Sequence, residues 1–191
     1  MGRLFGTDGV RGVANLDLTP ELAFQLGRAA AHVLVAKRKQ TKEAGRILVG
    51  RDTRVSGEML EAALVAGITS TGVHAVLLGV IPTPAVAYLT AKFGADAGAM
   101  ISASHNPIAD NGIKFFDAAG YKLTDDEEDE IESYLDSPRA DEIARPTGLE
   151  VGRVVAQDGE EAYAKFLAGT VGERFDGITV VLDCAFGATY R

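Results

Sequence analysis

Apolar positions recur at two alternating spacings along the first two-thirds of the chain. Leu22, Leu26, Ala29, Ala30 and Val33 form one helical stripe. It follows Thr19-Pro20-Glu21, where a capping side chain precedes a proline whose missing N–H costs nothing. Gly45 closes the connection, and Ile47-Leu48-Val49 reads as a buried strand. Ser56 is expected to cap a second helix with Leu60, Ala63, Leu64, Gly67 and Ile68 inward and Gly72 past its end. Ala75 to Leu78 is the next strand. Thr83-Pro84 repeats the cap-plus-proline start, with Val86 and Leu89 on the inner face and Phe93-Gly94 at the end. Ala97 to Ile101 is small and apolar, which suits a central strand covered on both faces. Ile113 to Phe116 predicts another strand, turning near Ala119-Gly120. Thr124 and Glu127 then form a capping box before Ile131, Tyr134 and Leu135.

Strands alternating with helices imply an α/β fold, a three-layer αβα sandwich on a mainly parallel mixed sheet. From about Asp136 to Gly152 the character changes to Pro138, Pro146, Gly148 and Gly152 among scattered charges, and this stretch reads as a linker. Beyond it lie one helix (Asp158 cap, then Tyr163, Phe166, Leu167) and one strand (Ile178 to Leu182) before Tyr190-Arg191. One helix and one strand cannot bury a core. The expected division is a complete domain over residues 1–150 and the incomplete beginning of a second, similar one over 151–191, whose uncovered apolar side chains favour self-association.

Composition narrows the function. Of 191 residues, 47% are hydrophobic and 24% charged, which is ordinary globular usage. The formal net charge of −8 argues against a nucleic-acid partner working through a uniformly basic surface. No apolar run approaches a membrane span, and Met1-Gly2-Arg3-Leu4-Phe5 leads at once into Gly-rich polar sequence. The expectation is a cytoplasmic protein with no signal peptide and no membrane partner. A single cysteine, Cys184, fits a reducing compartment.

Four polar clusters could carry chemistry, and in open α/β sheets ligands bind where loops leave the carboxyl ends of strands. Gly6-Thr7-Asp8-Gly9-Val10-Arg11-Gly12 offers backbone N–H groups and a fixed positive charge to an anion, or is simply a tight turn with a surface arginine. Arg51-Asp52-Thr53-Arg54-Val55-Ser56-Gly57 lies between a strand and a helix. Its arginines could hold phosphate, or an arginine held by Asp52 could brace the loop. In Ser102-Ala103-Ser104-His105-Asn106-Pro107 the serine beside a histidine suggests a hydrolase. Adjacent residues of an extended chain point to opposite faces, however, so His105 is not expected to take the Ser104 proton, and there is no Gly-x-Ser-x-Gly elbow. An exposed serine flanked by hydrogen-bonding groups can instead carry a phosphoryl group. Lys114, after Asp110-Asn111-Gly112-Ile113, either snorkels to solvent or faces the serine as an acid/base or phosphate ligand.

Other polar positions read as structural. The run Asp125 to Glu130 fans around its helix and is expected to be a solvated first turn favoured by the helix dipole, not a metal site. His32 and His74 have no carboxylate or cysteine at ligand spacing, and Cys184 is expected to be a small buried residue.

Together, Phe5 to Gly12, Gly50 to Gly57, Ile101 to Pro107 and Asp110 to Phe116 resemble the α-D-phosphohexomutase superfamily, in particular its branch acting on glucosamine phosphates. The resemblance implies that Ser104 is phosphorylated in the resting enzyme, transfers that group, and binds Mg²⁺ through it. It places His105 beside the reaction, with Lys114 and Arg11 as basic groups near the transferring phosphoryl and Lys114 the candidate acid/base. Thr7, Asp8, Gly9, Arg51, Arg54 and Asn106 become candidates for substrate and phosphate binding. The implied reaction interconverts glucosamine 6-phosphate and glucosamine 1-phosphate, cell-wall precursors, through a bisphosphorylated sugar. Phosphomannomutase or phosphoglucomutase chemistry is the alternative within the superfamily, and a non-catalytic anion-binding fragment the alternative outside it. Superfamily members have four domains. Their Asp-Gly-Asp-x-Asp-Arg metal loop, sugar-selecting loop and C-terminal phosphate-binding domain have no counterpart here, so these residues alone are expected to be inactive.

Overall fold

The computed structural model describes residues 3–36, 44–135 and 137–190. Met1 and Gly2 of the N-terminal reading, Asp136 at the start of the expected linker and the terminal Arg191 lie outside them.

The sheet has six strands: β1 (Val10–Val13), β2 (Arg46–Arg51), β3 (His74–Val80), β4 (Ala97–Ile101), β5 (Asp110–Phe116) and β6 (Val154–Ala156), in the order β1-β5-β4-β2-β3-β6. β4, β2, β3 and β6 are mutually parallel, while β5 runs antiparallel to both β4 and β1. All five residues of β4 are buried, as expected of a central strand. The short β1 escaped the sequence reading because Val10-Arg11-Gly12-Val13 has only two apolar positions and reads as part of a glycine turn.

Helices α1 (Pro20–Ala31), α2 (Ser56–Thr69) and α4 (Asp125–Glu132) bury one face of the sheet, with Leu26, Leu60, Leu64 and Ile68 fully enclosed. Helices α3 (Thr83–Lys92) and α5 (Glu160–Thr170) lie on the other face, around Leu48, Val86, Leu89 and Met100. Three layers result. α1 and α2 approach so closely that a Cβ on Gly67 would sit 2.1 Å from the Phe24 carbonyl oxygen, which only glycine allows.

Several local expectations are corrected. The Thr19 side chain does accept from the Leu22 amide, and Thr124 and Glu127 form the full capping box. Ser56 and Thr83, by contrast, are the first residues of their helices. The caps are Val55 and Pro82, and neither makes a side-chain cap bond. The Ser56 hydroxyl instead accepts from Asn111 Nδ2 at 2.9 Å. Asp158 serves α5 from one residue before its Gly159 cap, accepting from the Glu160 amide. The acidic turn of α4 is not simply solvated. Glu128 is buried and pairs with Arg3 and Lys122, and Glu132 accepts from the Phe5 amide.

The presumed linker is packed: Ile143 is buried, and the Gly152 amide donates to the Thr69 carbonyl. β6 then joins the first sheet beside β3, and Phe166 of α5 stacks on Tyr88 of α3. No strand forms at 178–182, where Val180, Val181 and Leu182 stay exposed. An isolated apolar stretch needs a neighbouring ladder to satisfy its backbone, and none is adjacent. Cys184 is exposed, not buried. His74 Nδ1 accepts from the Arg153 amide, a structural role. Among the described residues no helix is long and apolar enough to cross a membrane.

Candidate active site

Parallel pairing of β2 with β4 sets Arg51 opposite Ile101, so the two stretches leaving their carboxyl ends emerge side by side. The first supplies Asp52 and Arg54, the second the loop from Ser102 to Pro107. Arg54 is 8% exposed. Its Nη1 donates to the carbonyls of Pro107 (2.6 Å) and Asp110 (3.0 Å). Its Nη2 donates to those of Ser104 (3.0 Å) and Asn106 (2.8 Å), and its Nε to Asp52 Oδ2 (3.2 Å). A guanidinium has five N–H donors, and all five are engaged. Arg54 therefore braces the loop with no donor left for a phosphate, which is the bracing alternative of the two readings.

Asp52 completes the brace. Its Oδ1 accepts from the Arg54 amide and its Oδ2 from the Ser102 hydroxyl at 2.7 Å. The Ser102 oxygen in turn accepts from the Ser104 amide at 3.0 Å. Drawing the carbonyls inward leaves Ser104 exposed at the turn, with φ of 56°. A non-glycine residue in this left-handed region is a strained position that the surroundings must hold. The turn also revises the argument from extended backbone. The chain is not extended at Ser104, and its Oγ lies 3.4 Å from His105 Nδ1.

β5 begins just past this loop, and its antiparallel partner β1 carries the next groups. Ser102 donates its amide to the Gly112 carbonyl, and Gly112 faces Arg11 across the β1–β5 ladder. Arg11 Nη1 donates to Asn106 Oδ1 (3.4 Å), and Asn106 Nδ2 donates to Asp110 Oδ2 (3.0 Å). On the same face of β5, opposite buried Ile113 and Phe115, Lys114 reaches the Gly6–Gly9 turn. Its Nζ is 3.1 Å from Asp8 Oδ1, while Arg11 Nη2 is 3.4 Å from Asp8 Oδ2. Lys114 thus neither snorkels freely nor stands alone.

Gly9 is fixed by close approach: φ is 85°, and a Cβ there would lie 2.4 Å from the Ile113 oxygen. Its amide already donates to the Gly6 carbonyl, so it is not available to an anion. The amides of exposed Thr7 and Asp8 make no hydrogen bond among the described residues, which leaves those two as the turn's free donors. Arg51 points elsewhere, to Glu58 (3.1 Å) and Glu61 (3.3 Å) on α2, and its side chain makes no hydrogen bond or ion pair with the serine loop among the described residues. Burial pushes the Glu61 carboxyl up, against the lowering pull of Arg51.

The Asp8 carboxyl is held below its ordinary range, first by the hydrogen bond from Lys114, then by the charges of Lys114 and Arg11. A carboxyl lowered in the folded state adds stability above its unfolded pKa and loses it as pH falls through the folded value. Half-exposure of Asp8 screens the contribution. In Lys114→Met, the Asp8 midpoint read by carboxyl-carbon NMR should rise towards the ordinary aspartate range. An unmoved midpoint would mean that the pair does not form in solution.

No group of three or more His, Cys, Asp or Glu side chains converges to hold a metal among the described residues. Ser104 has no carboxylate set around it, so these residues do not by themselves fit a Mg²⁺ site.

With this geometry, residues 2–142 match the family described as phosphoglucomutase/phosphomannomutase, alpha/beta/alpha domain I. The chain belongs to this family. It is 58% identical to the phosphoglucosamine mutase of Clostridium acetobutylicum, over 100% of this chain and 42% of that protein. It is likewise 58% identical to that of Moorella thermoacetica, again over 100% of this chain and 42% of the relative. The chain thus spans well under half of these relatives. Among solved structures, a phosphoglucomutase/phosphomannomutase family protein from Burkholderia thailandensis superposes with a TM-score of 0.73 at 24% identity, covering 88% of this chain and 36% of that one. That likeness shows the phosphohexomutase fold.

Proposed function

We propose that this chain is the phosphoacceptor portion of a mutase interconverting glucosamine 6-phosphate and glucosamine 1-phosphate. The observation that carries the reading is Ser104, exposed and left-handed on a loop clamped by Arg54, beside the cationic pair Arg11 and Lys114. The 58% identical relatives are phosphoglucosamine mutases, which supports the amino sugar over mannose or glucose.

In the first half-reaction a sugar hydroxyl attacks the phosphoryl group on Ser104 Oγ. The P–Oγ bond breaks, a P–O bond to the sugar forms, and the hydroxyl proton departs. In the second, the freed Ser104 hydroxyl attacks the phosphoryl at the other end of the bisphosphate: a P–Oγ bond forms, the P–O bond to the sugar breaks, the serine gives up its proton and the sugar oxygen gains one. Such transfer depends on positioning and charge neutralisation. Arg11 and the Thr7 and Asp8 amides face the incoming phosphate, His105 Nδ1 holds the Ser104 hydroxyl, and Lys114 moves the proton. A Mg²⁺ ion on the Ser104 phosphoryl would neutralise charge, its remaining ligands coming from outside these residues.

The division at residue 150 belongs to the same proposal. The exposed side chains of Val181, Leu182 and Phe186 support self-association of the 151–191 stretch or its covering by further chain.

The test is a chimera in which this chain replaces the matching part of the Clostridium acetobutylicum enzyme, assayed on glucosamine 6-phosphate with catalytic bisphosphate. Lys114→Met should lower kcat by about two or more orders of magnitude, while the chain alone turns nothing over. Near-normal turnover in the variant would return Lys114 to a structural role. An inactive parent chimera that still binds phosphosugar would favour the non-catalytic reading.

A further inference from the structure

Arg28 of α1 is as buried as Arg54, at 7% exposed, but its bonding is the opposite. Only Nη2 has an acceptor, the Ile143 carbonyl at 3.2 Å. Nε is buried without a partner, and Nη1 has none among the described residues. Among the described residues no carboxylate pairs with it. A desolvated guanidinium with most of its donors unused is unfavourable unless something anionic completes it.

Arg28 lines an open groove of about 800 Å³ between α1, α2, Tyr134 and residues 137–145. Burial lowers the Arg28 pKa, the nearby charge of Arg145 lowers it further, and Asp141 only partly offsets both. Exposed Arg145 lines the same groove. Glu21 also borders it, yet makes no ion pair with either arginine among the described residues. The remaining walls include Phe24, Ala63, Pro138 and Ile143. The groove lies on the α1–α2 face of the sheet and shares no residue with the Ser104 loop or the Arg11–Asp8–Lys114 cluster.

We propose that this groove is a second binding site, taking a small carboxylate or phosphate carried on an apolar or ring-shaped body. Arg28 and Arg145 grip the oxyanion, a geometry that suits guanidinium forks, and Phe24 and Pro138 flank the body. The size suits a small organic molecule, since such pockets run to about 300–1,000 Å³.

The test titrates the 191-residue chain with phenyl phosphate, benzoate and inorganic phosphate, following amide NMR shifts. Phenyl phosphate or benzoate should shift the amides of Ala63, Ala140 and Ile143 saturably, and whichever binds tighter identifies the anion class. Inorganic phosphate should bind this groove more weakly. Arg145→Ala should weaken groove binding about tenfold or more, and Arg11→Ala should leave it unchanged. Arg145 is exposed, so its removal spares the core even if Arg28 variants fail to fold. Groove affinity unchanged in Arg145→Ala would overturn the proposal. So would shifts confined to the Ser104 loop, or no saturation by about 10 mM. Equal binding of inorganic phosphate would remove the apolar body from it.

Discussion

Ser104→Ala in the chimera is expected to end phosphoryl transfer altogether and to leave no phosphate on the serine loop. The neighbouring hydroxyl cannot take over. Ser102 Oγ donates to Asp52 and accepts from the Ser104 amide, so both its proton and a lone pair are committed to the brace. The fold should tolerate the change, because Ser104 is exposed and among the described residues its hydroxyl pairs only with His105. A residue at φ of 56° carries backbone strain that alanine does not relieve, so Ser104→Gly is the better-behaved second variant. Glycine removes the same hydroxyl and favours the same conformation. Both variants should be unphosphorylated by intact mass and peptide mapping, and both should be inactive. Phosphate persisting at Ser102, or turnover in either variant, would remove Ser104 from the reaction.

Arg54→Ala should destabilise the chain by about 3–5 kcal/mol, the usual cost of removing one partner from a buried ionic network. The loss is large because one side chain serves four loop carbonyls and the Asp52 carboxylate. Alanine leaves all of them facing a void in partly desolvated surroundings. Arg54→Lys keeps the charge but offers three donors from a point, so it should recover only part of the stability. Urea unfolding of the three proteins measures this. A midpoint shift equivalent to less than about 0.5 kcal/mol for the alanine variant would place the loop's stability elsewhere.

The layered fold was legible because its signals are local: the apolar stripe of α1, the all-buried Ala97 to Ile101, the Thr124 capping box. What escaped depends on distant partners. β1 exists because β5 lies beside it, and β6 because β3 has a free edge. The 178–182 stretch has strand-like composition and pairs with neither edge of the sheet. Ser104, Lys114 and Arg11 became candidates through their position in polar clusters and the family resemblance, but the division of labour between Arg51 and Arg54 could not be read that way. Three residues apart on one loop, one turns to the carboxylates of α2 and the other beneath the serine loop. No spacing rule separates them, since side-chain direction there follows from the register of β2 against β4. Asp52 and Ser102 were likewise seen as loop residues, and their link is visible only once those strands are paired.

That pairing has a kinetic corollary. The braces on Ser104 come from residues 52 and 54, about fifty positions upstream, and Arg11 comes from earlier still. Contacts of such sequence separation form late, after the entropy of closing the intervening chain has been met. A growing or partly folded chain would therefore present Ser104 on a slack segment, free of its left-handed turn and away from its cations. The hydroxyl acquires its chemical surroundings only when the middle of the sheet has assembled, so the rate at which Ser104 becomes phosphorylatable during refolding should follow the docking of β2 on β4.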